Sequence, residues 1–316
     1  MGIPTLNTFL QYKCKNSHHC IKCIHLEKLK GTKIAIDTSI YLYKFESTGN
    51  LIEQFYLLLI LLKKYNITPL FVFDGKIPSL KNDVILKRRQ EKEEAGINYN
   101  QLKDLINAEG STPELLNRLA FIKKKMAVIN SNKINKVKLL LTYFGACFIE
   151  AEGEADLLCV ELVKHKIVYA CLSEDMDMFA YGCPRILRYL SLVNHNIVLY
   201  DLSSILSSLQ IHQEDLLDLC IVCGTDYNVK SVDKEKKFEF WYNKMMIYKE
   251  KWRKQTFIEW IIQEGENINQ EKFLEIKNIF TSRLNMEDMC SLDINNGIMM
   301  EQELKHMLED DGFIFE

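Results

Sequence analysis

Two short apolar runs of this chain each end in an aspartate, and they constrain the fold more than any other feature. Residues 33–36 lead into Asp37, and residues 69–73 lead into Asp74. Between the two runs, residues 51–65 have the length and the apolar face of a helix. Buried parallel strands are continuous apolar runs, and helical crossovers join them. The pattern therefore predicts a β-α-β unit in which each strand ends on an acid.

Residues 145–182 repeat this pattern with more acids. A run of four carboxylates precedes an apolar helix-like segment, and the next apolar run, residues 167–172, ends in Ser-Glu-Asp-Met-Asp. A further acid follows a helix predicted at residues 216–222. In open α/β sheets the ligand lies beyond the carboxyl ends of the strands, so we expect these acids to share one crevice. The candidates are Asp37, Asp74, Glu154, Asp156, Asp175, Asp177 and Asp226. We expect no such role for Glu150 and Glu152.

Carboxylates that converge repel each other unless a cation lies among them. Mg²⁺ takes oxygen ligands, and two metal ions about 4 Å apart can activate a water and stabilise the leaving oxygen of a phosphodiester. The acids therefore indicate metal-dependent phosphodiester hydrolysis. The alternative is a solvated acidic loop that caps a helix N-terminus, where the helix dipole favours negative charge. No Ser-His-Asp order and no Gly-rich NTPase loop in the sequence competes with the metal site.

The composition narrows the class of protein. Forty Lys and Arg against 43 Asp and Glu give a net charge of -3, which argues against a protein that coats nucleic acid through bulk charge. The chain has 316 residues, 47% of them apolar, which allows one large α/β domain or two smaller ones. It has no apolar run of 18 residues and no signal-peptide pattern, and many of its ten cysteines lie in apolar runs. We therefore expect a reduced, intracellular protein without a membrane span.

Basic residues cluster after the second predicted strand. Residues 81–94 form a candidate helix on which Lys81 and Arg88 lie two turns apart on one face. The pair could clamp a phosphate beside the acids, or the helix could be a solvated one laced with Lys-Glu pairs. Residues 95–118 look irregular or loosely helical, and another basic run follows at residues 123–125. Residues 80–133 could thus form a mobile, charged arch.

The first 30 residues hold six potential zinc ligands, but only one pair has a familiar spacing. Cys20 and Cys23 are separated by two residues, and no second pair follows at a finger-like distance. We therefore expect no zinc and interpret the stretch as a thiol-rich surface loop. The six residues are Cys14, His18, His19, Cys20, Cys23 and His25.

The chain resembles the flap endonuclease and XPG group of structure-specific 5′ nucleases. The resemblance covers roughly residues 1–228 in the order of that group. It is carried by MGIPTLNTFL, KIAIDTSIYLYKF, FVFDGKIPSLKNDVILKRR, EGEADLL, SEDMDMFAYG and LDLCIVCGTDY. It implies a PIN-like α/β domain with a central, mostly parallel twisted sheet flanked by helices, plus a helical C-terminal region. It also implies cleavage of DNA near the base of a 5′ flap or at a 5′ end, with two Mg²⁺ ions for which Mn²⁺ can substitute.

The resemblance also implies roles for individual residues. The first metal ion would lie near Asp37, Asp74, Glu154 and Asp156, and the second near Asp175, Asp177 and Asp226. Catalysis would involve Asp175 together with Lys81 and Arg88, the basic pair that contacts the scissile phosphate. The remaining DNA contacts would come from Gly2, Tyr43, Lys123, Lys124 and Lys125. In this scheme Tyr43 stacks on a terminal base, and the three lysines belong to the arch.

The resemblance predicts four regions, and the sequence departs from the pattern of the group in one of them. Residues 1–94 and 134–228 would form the nuclease domain, residues 95–133 the arch, and residues 229–316 a helical region with a divergent helix-two-turn-helix. Past Asp226 the sequence has no glycine until Gly265, although the group carries a Gly-x-Gly duplex grip there. The Lys- and aromatic-rich segment could supply a substitute grip. We expect a monomer without a sliding-clamp peptide. The chain is rich in Lys, Ile and Asn, as proteins from AT-rich genomes are, which hints at a viral or protist source. We expect the protein in the nucleus, or in the host cytoplasm or a virus factory if the source is viral.

Two rival functions stay open. A 5′ to 3′ exoribonuclease shares the acids and an Asp-Gly followed by a basic helix, and the acids do not encode the choice between RNA and DNA. A catalytically silent DNA-binding scaffold is the second rival. It has no need to keep self-repelling carboxylates beside Lys81 and Arg88, which favours an enzyme.

Overall fold

The computed structural model describes residues 2–76, 81–228, 235–251, 254–285 and 294–314, and at residues 82–85, 108–109 and 124–125 it describes the backbone alone. A seven-stranded sheet with the order β1-β7-β6-β5-β2-β3-β4 lies at its centre. The pairs from β6 to β4 are parallel, whereas β7 and β1 are antiparallel at the other edge. The strands are β1 Ile21–His25, β2 Lys33–Asp37, β3 Thr68–Phe73, β4 Cys147–Glu150, β5 Ala170–Leu172, β6 Arg185–Ser191 and β7 Asn196–Asp201. The predicted α/β class with a mostly parallel sheet is confirmed.

Helices cover both faces of the sheet. A short 3₁₀ helix, Leu26–Leu29, follows β1. The α-helices are α1 Leu6–Lys13, α2 Thr38–Glu46, α3 Leu51–Lys64, α4 Asn82–Glu109, α5 Pro113–Lys125, α6 Ser131–Phe144, α7 Ala155–Lys164, α8 Asp177–Ala180, α9 Leu202–Leu209, α10 Gln213–Cys223, α11 Phe238–Glu250, α12 Phe257–Gln263, α13 Gln270–Thr281 and α14 Glu301–Asp310. None of these helices is both long and apolar enough to cross a membrane.

The alternation of side chains along the central strands creates two cores. In β2, Ala35 packs into one core and its neighbours Ile34 and Ile36 into the other. In β3, Leu70 and Val72 face the same way as Ala35. Successive side chains of a strand point to opposite faces, so continuous apolar runs are what a sheet covered on both sides requires. The predicted β-α-β unit of β2, α3 and β3 is therefore confirmed.

The prediction of a surface loop for the Cys- and His-rich stretch holds only for its first half, where residues 14–20 form turns and His18 and His19 are exposed. Residues 21–25 form strand β1, which pairs with β7 from Ile21 opposite Tyr200 to His25 opposite Asn196. Cys14 and Cys20 are buried in the core between α1 and the sheet rather than exposed in a loop. Residues 21–25 are an edge strand, and charged and polar residues are common on such strands because they discourage pairing with other chains.

The strand predicted at residues 167–172 is shorter than expected. The backbone amides of Ile167 and Val168 both donate to the Leu162 carbonyl of α7, so these two residues complete the helix end instead of the sheet ladder. Strand β5 begins only at Ala170. An apolar run alone does not show which part of it continues the preceding helix.

Residues 95–118, predicted as irregular or loosely helical, are helical except at residues 110–112. Helix α4 continues to Glu109, and α5 begins at Pro113 and packs against it. Ala95 and Leu102 are buried and lie seven residues apart, on one face of α4. Helix packing of this kind outweighs the cost of about 1 kcal/mol for a glycine, here Gly96, inside a helix.

Helix α11 packs against α1, with ring centroids of Phe9 and Phe238 4.9 Å apart. Trp241 is buried in the same core, and Lys236 and Lys244 both pair with Glu266. Phe238 and Trp241 are thus core residues, whereas Phe240 is exposed; the substitute duplex grip stays a prediction. At the other end of the sheet, α14 packs on α6 through Leu304 and Leu308.

Candidate active site

The parallel strands bring three of the candidate acids to one edge of the sheet. Asp37 ends β2, Asp74 follows β3, and Asp175 lies three residues after β5; β2 is the strand between β3 and β5. The Ser173 hydroxyl donates to Asp37 Oδ2 over 2.9 Å and accepts from the Asp175 backbone amide over 3.1 Å. The carboxyl ends of these strands therefore meet at one place, as the sequence pattern predicts.

Asp74 ties the start of α7 to the same edge. Its Oδ1 atom accepts a hydrogen bond of 2.8 Å from the Ala155 amide in the first turn of α7. The neighbouring Gly75 amide donates to the Gly153 carbonyl over 2.7 Å, and a Cβ atom on Gly75 would collide with the backbone oxygens of Ala151 and Glu152. This close approach of two backbones brings Glu154, the N-cap residue of α7, and Asp156 in its first turn beside Asp74.

The N-terminal segment packs on the second group of acids. Asp177 begins α8, and its amide donates to Asp175 Oδ1 over 3.0 Å. Gly2 has a φ of +74°, and a Cβ atom there would lie 2.6 Å from Asp177 Oδ1 and closer still to Asp175 Oδ1. Only glycine combines that backbone angle with so close an approach. Gly2, which the resemblance assigns to DNA contact, thus lies against the acids.

The acids are short of positive charge. Burial, followed by repulsion from Asp74, raises the pKa of Asp37 from 3.8 to about 7. Burial also raises the pKa of Asp156 and of Asp177 well above the usual range, with further contributions from Asp37 and Asp175 at Asp156 and from Asp175 at Asp177. The Asp177 Oδ1 atom is buried and has no hydrogen-bond partner among the described residues. Such a group is costly unless a donor or a cation reaches it.

Two basic side chains partly neutralise the cluster. Lys81 is 9% exposed, and its Nζ atom lies 2.5 Å from Glu154 Oε1. Burial by itself would lower the pKa of Lys81, but attraction to Glu154, Asp156 and Asp177 outweighs it and the pKa is raised. Arg88 Nη2 lies 2.7 Å from Asp226 Oδ2. The structure thus places both predicted basic residues against the predicted acids.

Two further residues of the site carry no signal that sequence reasoning could use. The Tyr227 hydroxyl donates to Glu154 Oε2 over 2.5 Å, and the Lys81 ammonium lies 4.7 Å from the centroid of the Tyr227 ring. Ser173 joins Asp37 to Asp175, as described above. Tyr227 directly follows Asp226, but only the packing of the folded chain shows that it reaches Glu154, 73 positions earlier.

The other candidates lie outside the cluster. Tyr43 on α2 is 44% exposed, and the Lys92 ammonium of α4 lies 4.5 Å from its ring centroid. Lys123 is exposed on α5, whereas the side chains of Lys124 and Lys125 are outside the described part of the structure. Glu150 pairs with Lys138 over 2.5 Å at the end of β4.

The donor set suits a hard divalent cation. Carboxylate oxygens are the ligands that Mg²⁺ and Mn²⁺ prefer, and the unpartnered Asp177 Oδ1 atom and the raised pKa values call for positive charge. Within the described residues, no three His, Cys, Asp or Glu side chains surround a common metal position. Lys81 and Arg88 take part of the counter-charge instead. The residues therefore fit such an ion by chemistry and charge, and side-chain rearrangement would be needed to coordinate it.

Comparison with known proteins identifies relatives over most of the chain. A model of the XPG N-terminal domain matches residues 1–95, and a model of the XPG I-region matches residues 145–226. Flap endonuclease 1 of Candida tropicalis is 32% identical over 247 residues, covering 72% of this chain and 63% of that protein. Flap endonuclease 1 of Methanococcus aeolicus is 30% identical over 280 residues, covering 82% and 78%. The chain thus spans less than two thirds of the length of the Candida protein.

Solved structures share the fold. The catalytic core of Rad2 in complex with DNA substrate has a TM-score of 0.68 and 20% identity, and the match covers 99% of this chain and 96% of that one. The Holliday junction-resolving enzyme GEN1, in complex with product DNA and Mg²⁺, has a TM-score of 0.64 and 16% identity, with 92% and 70% covered. At these identities the likeness shows the fold alone.

Proposed function

Since the chain belongs to the XPG family of structure-specific 5′ nucleases, we propose that it hydrolyses phosphodiester bonds of DNA with divalent metal ions. The observation that supports this best is the cluster of acids at one sheet edge, with Lys81 and Arg88 directed into it. A scaffold that only binds DNA gains nothing from the raised pKa of Asp37 and its neighbours, because each such group destabilises the fold. The cluster therefore favours an enzyme over the silent scaffold.

The seven acids are proposed as the metal ligands. Asp37, Asp74, Glu154 and Asp156 would hold a first Mg²⁺, and Asp175, Asp177 and Asp226 a second, with Mn²⁺ as a substitute. Two bound divalent ions would supply an activated water and a counter-charge for the leaving oxygen. Asp74 is held by the Ala155 amide and Asp37 by Ser173, so these two carboxylates are already oriented toward the cluster.

Lys81 and Arg88 would act on the substrate phosphate. Their present partners, Glu154 and Asp226, are both proposed metal ligands. Once those carboxylates serve a cation, the ammonium and the guanidinium can exchange them for phosphate oxygens and stabilise the charge that develops during cleavage. Lys81 is held at the start of α4 and is nearly buried, so its reach is short and its position well defined.

We further propose DNA with a 5′ flap or a 5′ end as the substrate. The relatives that match over most of this chain are flap endonucleases, and the Rad2 core with the same fold is bound to DNA. Tyr43, exposed beside Lys92, offers a ring on which a terminal base can stack. Lys123, Lys124 and Lys125 belong to α5 and would line the arch for the 5′ strand. The rival function is a 5′ to 3′ exoribonuclease, and comparing cleavage of DNA and RNA substrates distinguishes the two.

The test is cleavage of a 5′-labelled flap DNA beside matched single-stranded DNA, duplex DNA and RNA, with and without Mg²⁺. We expect Mg²⁺-dependent cleavage at the flap base, reduced at least about a hundredfold by Asp175→Ala. Glu150→Gln is the matched control, because Glu150 is an exposed acid that pairs with Lys138 and not with Lys81 or Arg88. Cleavage of RNA alone would support the exoribonuclease. Flap DNA that is bound but never cut would support the silent scaffold.

A further inference from the structure

Tyr189 adopts a backbone conformation that tyrosine rarely takes. It lies in β6 with a φ of +57°, at a register shift between Arg188 and Ser191 in the pairing with β7. A bulky residue with positive φ is a genuine outlier, and such outliers persist only where the surroundings impose them. The ring is nevertheless 42% exposed, so burial of the ring in the core does not account for the strain.

Three contacts hold the residue in this position. The Asn7 side-chain amide donates to the Tyr189 hydroxyl over 3.0 Å, and the Tyr189 backbone amide donates to Glu174 Oε1 over 2.8 Å. The Arg188 guanidinium carbon lies 4.8 Å from the centroid of the ring. Arg188 is itself buried and also lies over the ring of Tyr200, at 5.6 Å. The ring is thus fixed on a rigid support.

Glu174 connects the Tyr189 ring to the acid cluster. Glu174 directly precedes Asp175, and its backbone carbonyl accepts from Arg188 Nη2 over 2.8 Å. The Lys44 ammonium lies 3.7 Å from Glu174 Oε1, the same oxygen that accepts from the Tyr189 amide. An exposed aromatic ring and a half-exposed ammonium therefore flank one carboxylate beside the proposed metal ligands. A nucleotide unit presents a base for the ring and a phosphate for the ammonium.

We propose that Tyr189 is a platform on which one nucleobase of the substrate DNA stacks, with Lys44 at the adjacent phosphate. This inference rests on the proposed function. Stacking on an aromatic ring tolerates every base, so the contact adds affinity without sequence preference. The platform is separate from the one expected at Tyr43, whose ring lies under Lys92 of α4 rather than on Arg188.

The fold by itself does not require a ring at this position. The Asn7 carbonyl oxygen already accepts from Arg188 and from the Tyr200 hydroxyl, over 2.9 Å each. Asparagine adopts positive φ with less strain than tyrosine and also keeps the backbone amide that Glu174 accepts from. The substitution Tyr189→Asn therefore removes the ring while it relieves the backbone, and Tyr189→Phe keeps the ring and removes the hydroxyl.

The experiment measures binding of a fluorescently labelled flap DNA in EDTA, where no cleavage occurs, by anisotropy. We expect Tyr189→Asn to raise the Kd about tenfold and Tyr189→Phe to change it less than about twofold. Thermal melting of each variant shows whether it is folded, and we expect the Asn variant to melt no lower than the natural protein. A scan with 2-aminopurine along both strands should find one position whose fluorescence is quenched by the natural protein and not by the Asn variant.

The outcomes separate this inference from the proposed function. If the natural protein cuts flap DNA and a folded Tyr189→Asn variant binds it with an unchanged Kd, the platform is wrong and the nuclease stands. An equal loss of binding in the Phe and Asn variants would also overturn the platform, because the hydroxyl and not the ring would then carry the effect. If the natural protein neither binds nor cuts any DNA, the proposed function fails and the platform with it.

Discussion

Among single residues, the buried acids of the candidate site lower the stability of the fold. Asp37 is 3% exposed and Asp177 is 1% exposed, and both are surrounded by other carboxylates. Burying an acid without a counter-charge raises its pKa, since the neutral form is then favoured. The folded protein therefore holds protons that the unfolded chain releases, and this links stability to pH.

The first prediction concerns the stability of the metal-free protein. Asp37 has a pKa of about 7 when folded, against 3.8 as its ordinary value, so the folded state keeps this proton as the pH rises from about 4 to 7. The free energy of unfolding should therefore fall by about 2–4 kcal/mol across that window. Urea unfolding in EDTA between pH 4.5 and 8 measures it. Asp37→Asn should make this fall smaller without abolishing it, because burial also raises the pKa of Asp156 and of Asp177. A free energy of unfolding that rises with pH would contradict these assignments.

A second prediction concerns Asp177, whose Oδ1 atom lacks a partner among the described residues. The raised pKa of Asp177 means that folding at neutral pH requires this side chain to take up a proton. Asp177→Asn removes that requirement and should raise the free energy of unfolding in EDTA at pH 7 by about 1–3 kcal/mol. The same change should lower Mg²⁺-dependent cleavage at least about a hundredfold, because a proposed ligand is lost. Thermal melts and initial rates check the two halves. A variant that is less stable in EDTA would show that burying the Asp177 carboxyl group does not destabilise the fold.

At the scale of the element, the site depends on how β3 and α7 are joined. The Gly75 and Gly153 backbones are in hydrogen-bonding contact, and this places the acids of α7 next to Asp74. Because the contact is between backbones, no neighbouring side chain can move to make room for a larger residue. A substitution here should act on both stability and catalysis.

The third prediction follows from that contact. Gly75→Ala should destabilise the protein by about 1–3 kcal/mol, since the new Cβ atom meets backbone oxygens of residues 151 and 152. Gly96→Ala is the matched control: its Cβ atom would meet only Met126 Cε, at 3.9 Å, and alanine favours the helix by about 0.5–1 kcal/mol. Urea unfolding of the two variants should shift in opposite directions. Equal shifts would contradict the packing described for the β3–α7 junction.

The elements also show what the sequence could and could not predict. Strands β2 and β3 and the acids at their ends were predictable because short continuous apolar runs on either side of a helix-like segment are typical of parallel strands covered on both faces. The length of α4 was not predictable, because this helix has few apolar residues and is stabilised by packing against α5. No local sequence pattern indicates that packing. β1 was mistaken for a loop because an edge strand carries polar residues such as Lys22 and His25.

In the whole molecule, each face of the sheet is covered by its own hydrophobic core. One core holds α1 and the helices from α7 to α13, and it includes Met176 and Met178, the neighbours of Asp177. The other holds α2, α3, α6 and α14. The contacts of Tyr227 with Glu154 and of Gly2 with Asp177 join segments far apart in sequence, so they depend on the complete fold and could not be predicted.

Flap cleavage at single-nucleotide resolution, measured with and without Mg²⁺, decides whether the acid cluster is a nuclease site. We expect one product, cut at the junction of the 5′ flap. This product should be absent in EDTA, restored by Mg²⁺ or Mn²⁺, lost in Asp175→Ala and kept in Glu150→Gln. Cleavage that persists in EDTA, or that Asp175→Ala leaves unchanged, would contradict the claim that the acids at the carboxyl edge of the sheet form a metal-dependent nuclease site.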